Sequence, residues 1–61
     1  MRMKIKWQVQ GEEGHWLARA ENEYTYAEAR ADNLFEAMEK AEEELIEKTE
    51  ELLRKAQDGV N

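Results

Sequence analysis

Apolar and polar residues alternate along three stretches of this chain, and the remainder then switches to a helical period. Met3, Ile5, Trp7 and Val9 alternate with Arg2, Lys4, Lys6, Gln8 and Gln10. Trp16, Ala18 and Ala20 alternate with His15, Leu17, Arg19 and Glu21. Thr25, Ala27 and Ala29 alternate with Tyr24, Tyr26, Glu28 and Arg30. Successive side chains of a strand point to opposite faces, so each stretch predicts a strand with one apolar face. From Asn33 to about Gln57 the period lengthens to that of one long amphipathic helix.

The turns can be tested against that alternation. Gly11-Glu12-Glu13-Gly14 separates the first two strands and places glycine, which tolerates positive φ, on both sides. Setting Gln10 opposite His15 puts Val9 opposite Trp16, Trp7 opposite Ala18 and Ile5 opposite Ala20, so every apolar pair shares a face. Asn22-Glu23 predicts a two-residue turn, which sets Ala20 opposite Thr25, Ala18 opposite Ala27 and Trp16 opposite Ala29. In this register Lys6, Arg19 and Tyr26 form one row on the outer face. The expected fold is α+β: a three-stranded antiparallel β-meander with one long C-terminal α-helix packed on one face (βββα), a single domain over residues 1–61.

The helix carries its own punctuation. Asn33 is placed to be the N-cap, with Glu36 as the return half of a capping box and Asp32 adding negative charge near the positive end of the dipole. Gly59 is the expected stop. Leu34, Met38, Ala41, Leu45, Leu52 and Ala56 form the stripe expected to cover the sheet. Ala18, Ala20, Ala27 and Ala29 would let the helix approach closely while Trp7 and Trp16 fill the wider end. Glu36–Lys40, Glu44–Lys48, Glu50–Arg54 and Glu51–Lys55 all have the acid on the N-terminal side, the favourable orientation.

Length then sets a conflict. Strands of this size span about 25 Å at ~3.3 Å per residue, whereas the helix spans about 37 Å at ~1.5 Å per residue. The last two turns are expected to overhang, and Phe35, Ile46 and Leu53 form a second apolar stripe beside the first. Either the helix lies diagonally over a curved sheet and covers that stripe itself, or the stripe meets another copy. The expectation tested is a symmetric homodimer through the helix, with Phe35, Ile46, Leu52 and Leu53 as its contacts.

Composition narrows the chemistry. At 61 residues only about 60% of the unfolded chain's surface can be buried, so the core must be thin. The sequence has no cysteine, hence no disulfide and no thiolate metal site. Its longest apolar run is too short for a membrane span or the hydrophobic part of a signal peptide, and no targeting segment is expected. A formal net charge of −6 argues against nucleic acid or an anionic membrane as a partner of the whole molecule.

No serine or cysteine nucleophile is present; Thr25 is expected to face the core and Thr49 to lie mid-helix. The single histidine, His15, begins a strand with no evident orienting carboxylate and reads as a solvated strand-end residue. Glu42, Glu43 and Glu44, with Glu36, Glu39 and Glu47 nearby, form an acidic cluster on an outward helix face, which neither converges on an ion nor excludes water. The expectation is no enzyme: no catalytic, cofactor-binding or metal residue and no small-molecule ligand. One surface stands apart. The outer sheet face collects Arg2, Lys4, Lys6, Arg19 and Arg30 with Tyr24, Tyr26, Leu17 and His15, against Glu21 and Glu28. Basic sheets with exposed aromatics stack and neutralise RNA, so Lys4, Lys6, Arg19, Tyr24 and Tyr26 are the candidate binding face. The competing reading is an ordinary polar strand surface.

Several resemblances follow from particular segments. The segment from Tyr26 to Ala41 and the hairpin before it resemble the last two strands and helix of hibernation-promoting ribosome factors. Asp32–Ala37 also resembles the strand-to-helix junction of small antitoxins with a partial ribonuclease-H-like fold, which implies a dimerisation module. The double-stranded-RNA-binding domain shares the element order, but its helix begins with paired lysines where this chain has Leu34, Phe35 and Glu36. Over the whole chain the likeness is to computationally designed α+β miniproteins. The run at 41–56, the lack of Pro, Ser and Cys, and the agreement of pattern, caps and charge pairs are typical of them. That resemblance implies an idealised sheet-plus-helix scaffold with no natural biochemical function; the alternatives are a ribosome- or RNA-associated module and the antitoxin-like dimerisation module.

Overall fold

The structure is a computed structural model and describes residues 4–58. Strands β1 (Lys6–Glu12), β2 (His15–Glu21) and β3 (Tyr26–Ala31) form an antiparallel sheet in the order β1-β2-β3, and the helix α1 (Leu34–Asp58) follows. The expected βββα meander is therefore present. The roles expected of Arg2, Met3 and Gly59 lie outside the described residues.

Both hairpins differ from expectation by two residues of register. Val9 pairs with Ala18 and Trp7 with Ala20, while Gly11 faces Trp16 and Glu12 faces His15. The connection is the tight turn Glu13-Gly14, in which Gly14 takes φ +80°, so Gly11 and Glu12 join the strand rather than the loop. In the second hairpin Ala20 pairs with Ala27, Ala18 with Ala29 and Trp16 with Ala31. Asn22 organises that longer connection. Its Oδ1 accepts from the backbone N–H groups of Tyr24 (2.8 Å) and Thr25 (2.9 Å), and its own N–H donates to the Thr25 carbonyl at 3.0 Å. Thr25 accordingly sits in the connection, not in the strand. A shift of two leaves every side chain on its expected face, because the pleat repeats every two residues. Its rows change, however: Lys6 now lies with Glu21 and Tyr26, and Arg19 with Gln8 and Glu28.

The inner face is graded in size. Alanine fills it beneath the helix on β2 and β3, with Ala18, Ala20 and Ala27 fully buried, whereas β1 contributes Trp7 and Val9. Small side chains allow close backbone approach, and the helix packs on β2 and β3 rather than on β1. Ile5 and Trp7 flank this core, while Val9 is left 47% exposed. The tryptophans occupy opposite ends of the sheet instead of one wide end: Trp7 shares a row with Ala20 and Ala27, and Trp16 one with Gly11 and Ala31. The Trp16 ring roofs Gly11, where an added Cβ would come within 3.3 Å of it.

The helix begins as expected: Asn33 Oδ1 accepts from the Glu36 N–H at 2.8 Å. Its buried line, however, is Ala37, Ala41, Leu45 and Thr49, a strict four-residue spacing. Leu52 and Ala56 were expected in the stripe over the sheet; residues 50–57 are all exposed, so the last turns project beyond the Asn22 connection. Of the four expected helix pairs, Glu44–Lys48 (3.7 Å) and Glu51–Lys55 (3.6 Å) lie within ion-pair distance. The molecule is 49 Å long and 14–16 Å across.

Candidate functional site

Alternation along the strands sets Lys6, Gln8, Gln10 and Glu12 of β1 beside Glu21, Arg19, Leu17 and His15 of β2, with Tyr26, Glu28 and Arg30 of β3 beyond. Glu12 enters the sheet through the register shift. Lys6, Arg19 and Arg30 are thereby matched by Glu12, Glu21 and Glu28, and the basic face expected from sequence is close to neutral within the strands. Lys4 precedes β1 and is exposed, and Tyr24 lies in the Asn22 connection.

The aromatic and cationic groups engage one another. The Arg19 guanidinium stacks 4.2 Å from the centre of the Tyr26 ring, reaching it diagonally from the neighbouring row. Lys48 comes from the helix to 5.5 Å from the same ring and donates to the Tyr26 carbonyl at 3.2 Å. A cation over a ring is attracted by its quadrupole, so Tyr26 acts as a clamp between sheet and helix. Arg19 Nε is buried without a hydrogen-bond partner, its guanidinium held by the ring instead.

His15 does have a carboxylate beside it, contrary to expectation. Glu12, its cross-strand partner, places Oε2 at 3.5 Å from Nε2, and His15 Nδ1 lies 3.1 Å from the Glu13 carbonyl oxygen. Arg30 Nε stands 3.5 Å from the other Glu12 oxygen. The three side chains join all three strands at the end of the sheet beside the Glu13-Gly14 turn. A histidine held by a carboxylate is half of a nucleophile-activating pair, but the serine or cysteine that would complete it does not occur in the sequence.

Between these groups the outer face has a shallow depression of about 300 Å³, open to solvent and lined by Gln8, Gln10, Leu17, Arg19 and Glu28. Among the described residues no group of three or more His, Cys, Asp or Glu side chains could hold a metal ion. No helix among the described residues is long and apolar enough to cross a membrane.

A pairing that sequence reading missed lies at the other end of the core. Thr49 is fully buried; its Oγ1 donates to the Leu45 carbonyl at 2.7 Å and accepts from Asn22 Nδ2 at 2.9 Å. The signal was present, since Thr49 continues the four-residue spacing Ala37, Ala41, Leu45. The residues named as dimer contacts are exposed in the single chain, with Phe35 at 77% and Ile46, Leu52 and Leu53 between 42% and 46%. Comparison with protein-family models, curated proteins and solved structures finds no match.

Proposed function

We propose that this chain is a sheet-plus-helix scaffold of the idealised type, whose polar surface serves the fold and whose one activity is association with its own copies. The observation that carries the reading is the use made of the chemically capable side chains. Arg19 clamps Tyr26, Glu12 joins His15 to Arg30, and Asn22 holds Thr49. Each bridges two elements of the fold, which is what a structural role requires. No catalytic step is assigned to any of them.

Association through the helix fits its charge distribution at one place only. Over residues 34–49 six glutamates oppose Lys40 and Lys48, whereas in the overhang Glu50, Glu51 and Asp58 count against Arg54 and Lys55 and leave a single excess negative charge. Glu39 and Glu42 lie between Phe35 and Ile46 on the second stripe, so two copies pairing along its full length would set acid against acid. The overhang, least charged and carrying Leu52, Leu53 and Ala56, is where two helices meet with least repulsion. An antitoxin-like dimerisation module would make the same use of this surface. Light scattering over a concentration series tests the reading: a dimer mass converted to a monomer mass by Leu53→Glu supports it. A specific small-molecule or RNA ligand at micromolar affinity would overturn the scaffold assignment.

A further inference from the structure

The two edges of the sheet are treated differently. At β3 the helix reaches over the strand, and Lys48 donates to the Tyr26 carbonyl, a cation placed where another strand would approach. At β1 no described side chain bonds to the backbone, and the helix packs on the other two strands. The inner face of β1 carries Val9, 47% exposed, in one row with the buried Ala18 and the partly buried Ala29. An edge strand presents a row of unpaired N–H and C=O groups and is a template for another strand.

We infer that β1 is a pairing edge for β1 of a second copy, the two strands running antiparallel about a two-fold axis at Val9 and joining two sheets into one of six strands. The inference deepens the scaffold reading and names a contact separate from the helix overhang. The register follows from the strand itself. Only a centre at Val9 pairs all seven residues, Lys6 to Glu12, with their counterparts. Side chains must also match in face, and here they do: Lys6 meets the partner's Glu12, Gln8 the partner's Gln10, Trp7 the partner's Gly11, and Val9 the partner's Val9. Opposite charges close both ends of the seam, so the lysine that would repel a strange strand is satisfied by this one. Val9 is covered at the axis. Trp7 arrives beside the partner's Gly11, which is roofed by the partner's Trp16, so two indoles meet over a residue with no side chain.

The sequence has no cysteine, which makes the test direct. Val9→Cys places one thiol per chain at the axis, and Leu53→Cys places one on the helix overhang. On mild oxidation at low micromolar concentration Val9→Cys is expected to convert most of the chain to a covalent dimer of unchanged circular dichroism. Val9→Lys, an exposed substitution that puts two like charges at the axis, is expected to abolish the edge contact while the chain stays folded. Crosslinking by Leu53→Cys but not Val9→Cys would overturn the edge contact and leave the helix contact standing. A native monomer mass at high micromolar concentration with neither variant crosslinked would overturn both. Crosslinking by each variant supports the edge and predicts masses above a dimer, since two separate two-fold contacts link copies onward. None of these outcomes depends on a ligand search, so the scaffold assignment fails or stands by its own test.

Discussion

At the Thr49 end of the core a single amide joins a turn to the helix. Asn22 accepts two backbone hydrogen bonds within its own connection and donates one to Thr49, fixing the turn and pinning the helix over it. Asn22→Ala removes all three, and at about 0.5–1.5 kcal/mol net for each, the loss is expected to be about 1.5–4.5 kcal/mol in a denaturant titration. Thr49→Val keeps shape and removes the bond from Asn22 Nδ2, so it should cost about 1 kcal/mol. Gly14→Ala forces a Cβ into the φ +80° conformation of the first turn and is expected to cost about 1–2 kcal/mol by the same titration. Asn33→Ala, which removes the helix cap, should cost about 0.5–2 kcal/mol. These contacts were unevenly legible. The cap was readable from Asn33 alone, because capping is local. The Asn22–Thr49 bond joins residues far apart in sequence and depends on a register that the residues do not state.

At the scale of elements, alternation determined which face each strand buries but not how far it slides. Any shift by two residues preserves the faces, and the choice rests with the turns. Gly14 closes the first turn in two residues, and the Asx-type bonds of Asn22 lengthen the second connection to reach Thr25. The sheet's outer face then changed character through one residue: Glu12, assigned to a loop by its neighbours Gly11 and Glu13, became a strand residue opposite His15. The helix was readable in extent, yet its buried line drifted from the expected stripe. A strict four-residue spacing slowly rotates around a helix with about 3.6 residues per turn, so the sheet-facing line moves from Ala37 to Thr49 and passes Leu52 by. The alanine layer between the elements is fully buried at Ala18, Ala20, Ala27, Ala37 and Ala41. Ala20→Leu would push the helix off the sheet and is expected to cost about 1–3 kcal/mol, measured as a fall in denaturation midpoint.

For the whole molecule, the balance of charge on the outer face bears on partners. Within the strands Lys6, Arg19 and Arg30 are matched by Glu12, Glu21 and Glu28, and the chain's net charge is −6. Fluorescence anisotropy with single-stranded RNA at low ionic strength is expected to show no saturable binding; a salt-sensitive isotherm lost in Lys6→Glu with folding retained would reverse that expectation. Leu53→Glu, at a position 46% exposed beyond the sheet, should change the association state while moving the unfolding midpoint little. The projecting helix has one more consequence, for how the molecule melts. Backbone hydrogen bonds in residues 50–57 have no sheet beneath them, so their opening requires only local fraying, whereas those from Ala37 to Thr49 open with the core. Amide exchange should therefore divide the helix into a fast and a slow half at Thr49. On heating, far-ultraviolet ellipticity should begin to fall before the signal of Trp7 and Trp16, and the gap between the two curves should narrow as protein concentration rises and the free ends find each other.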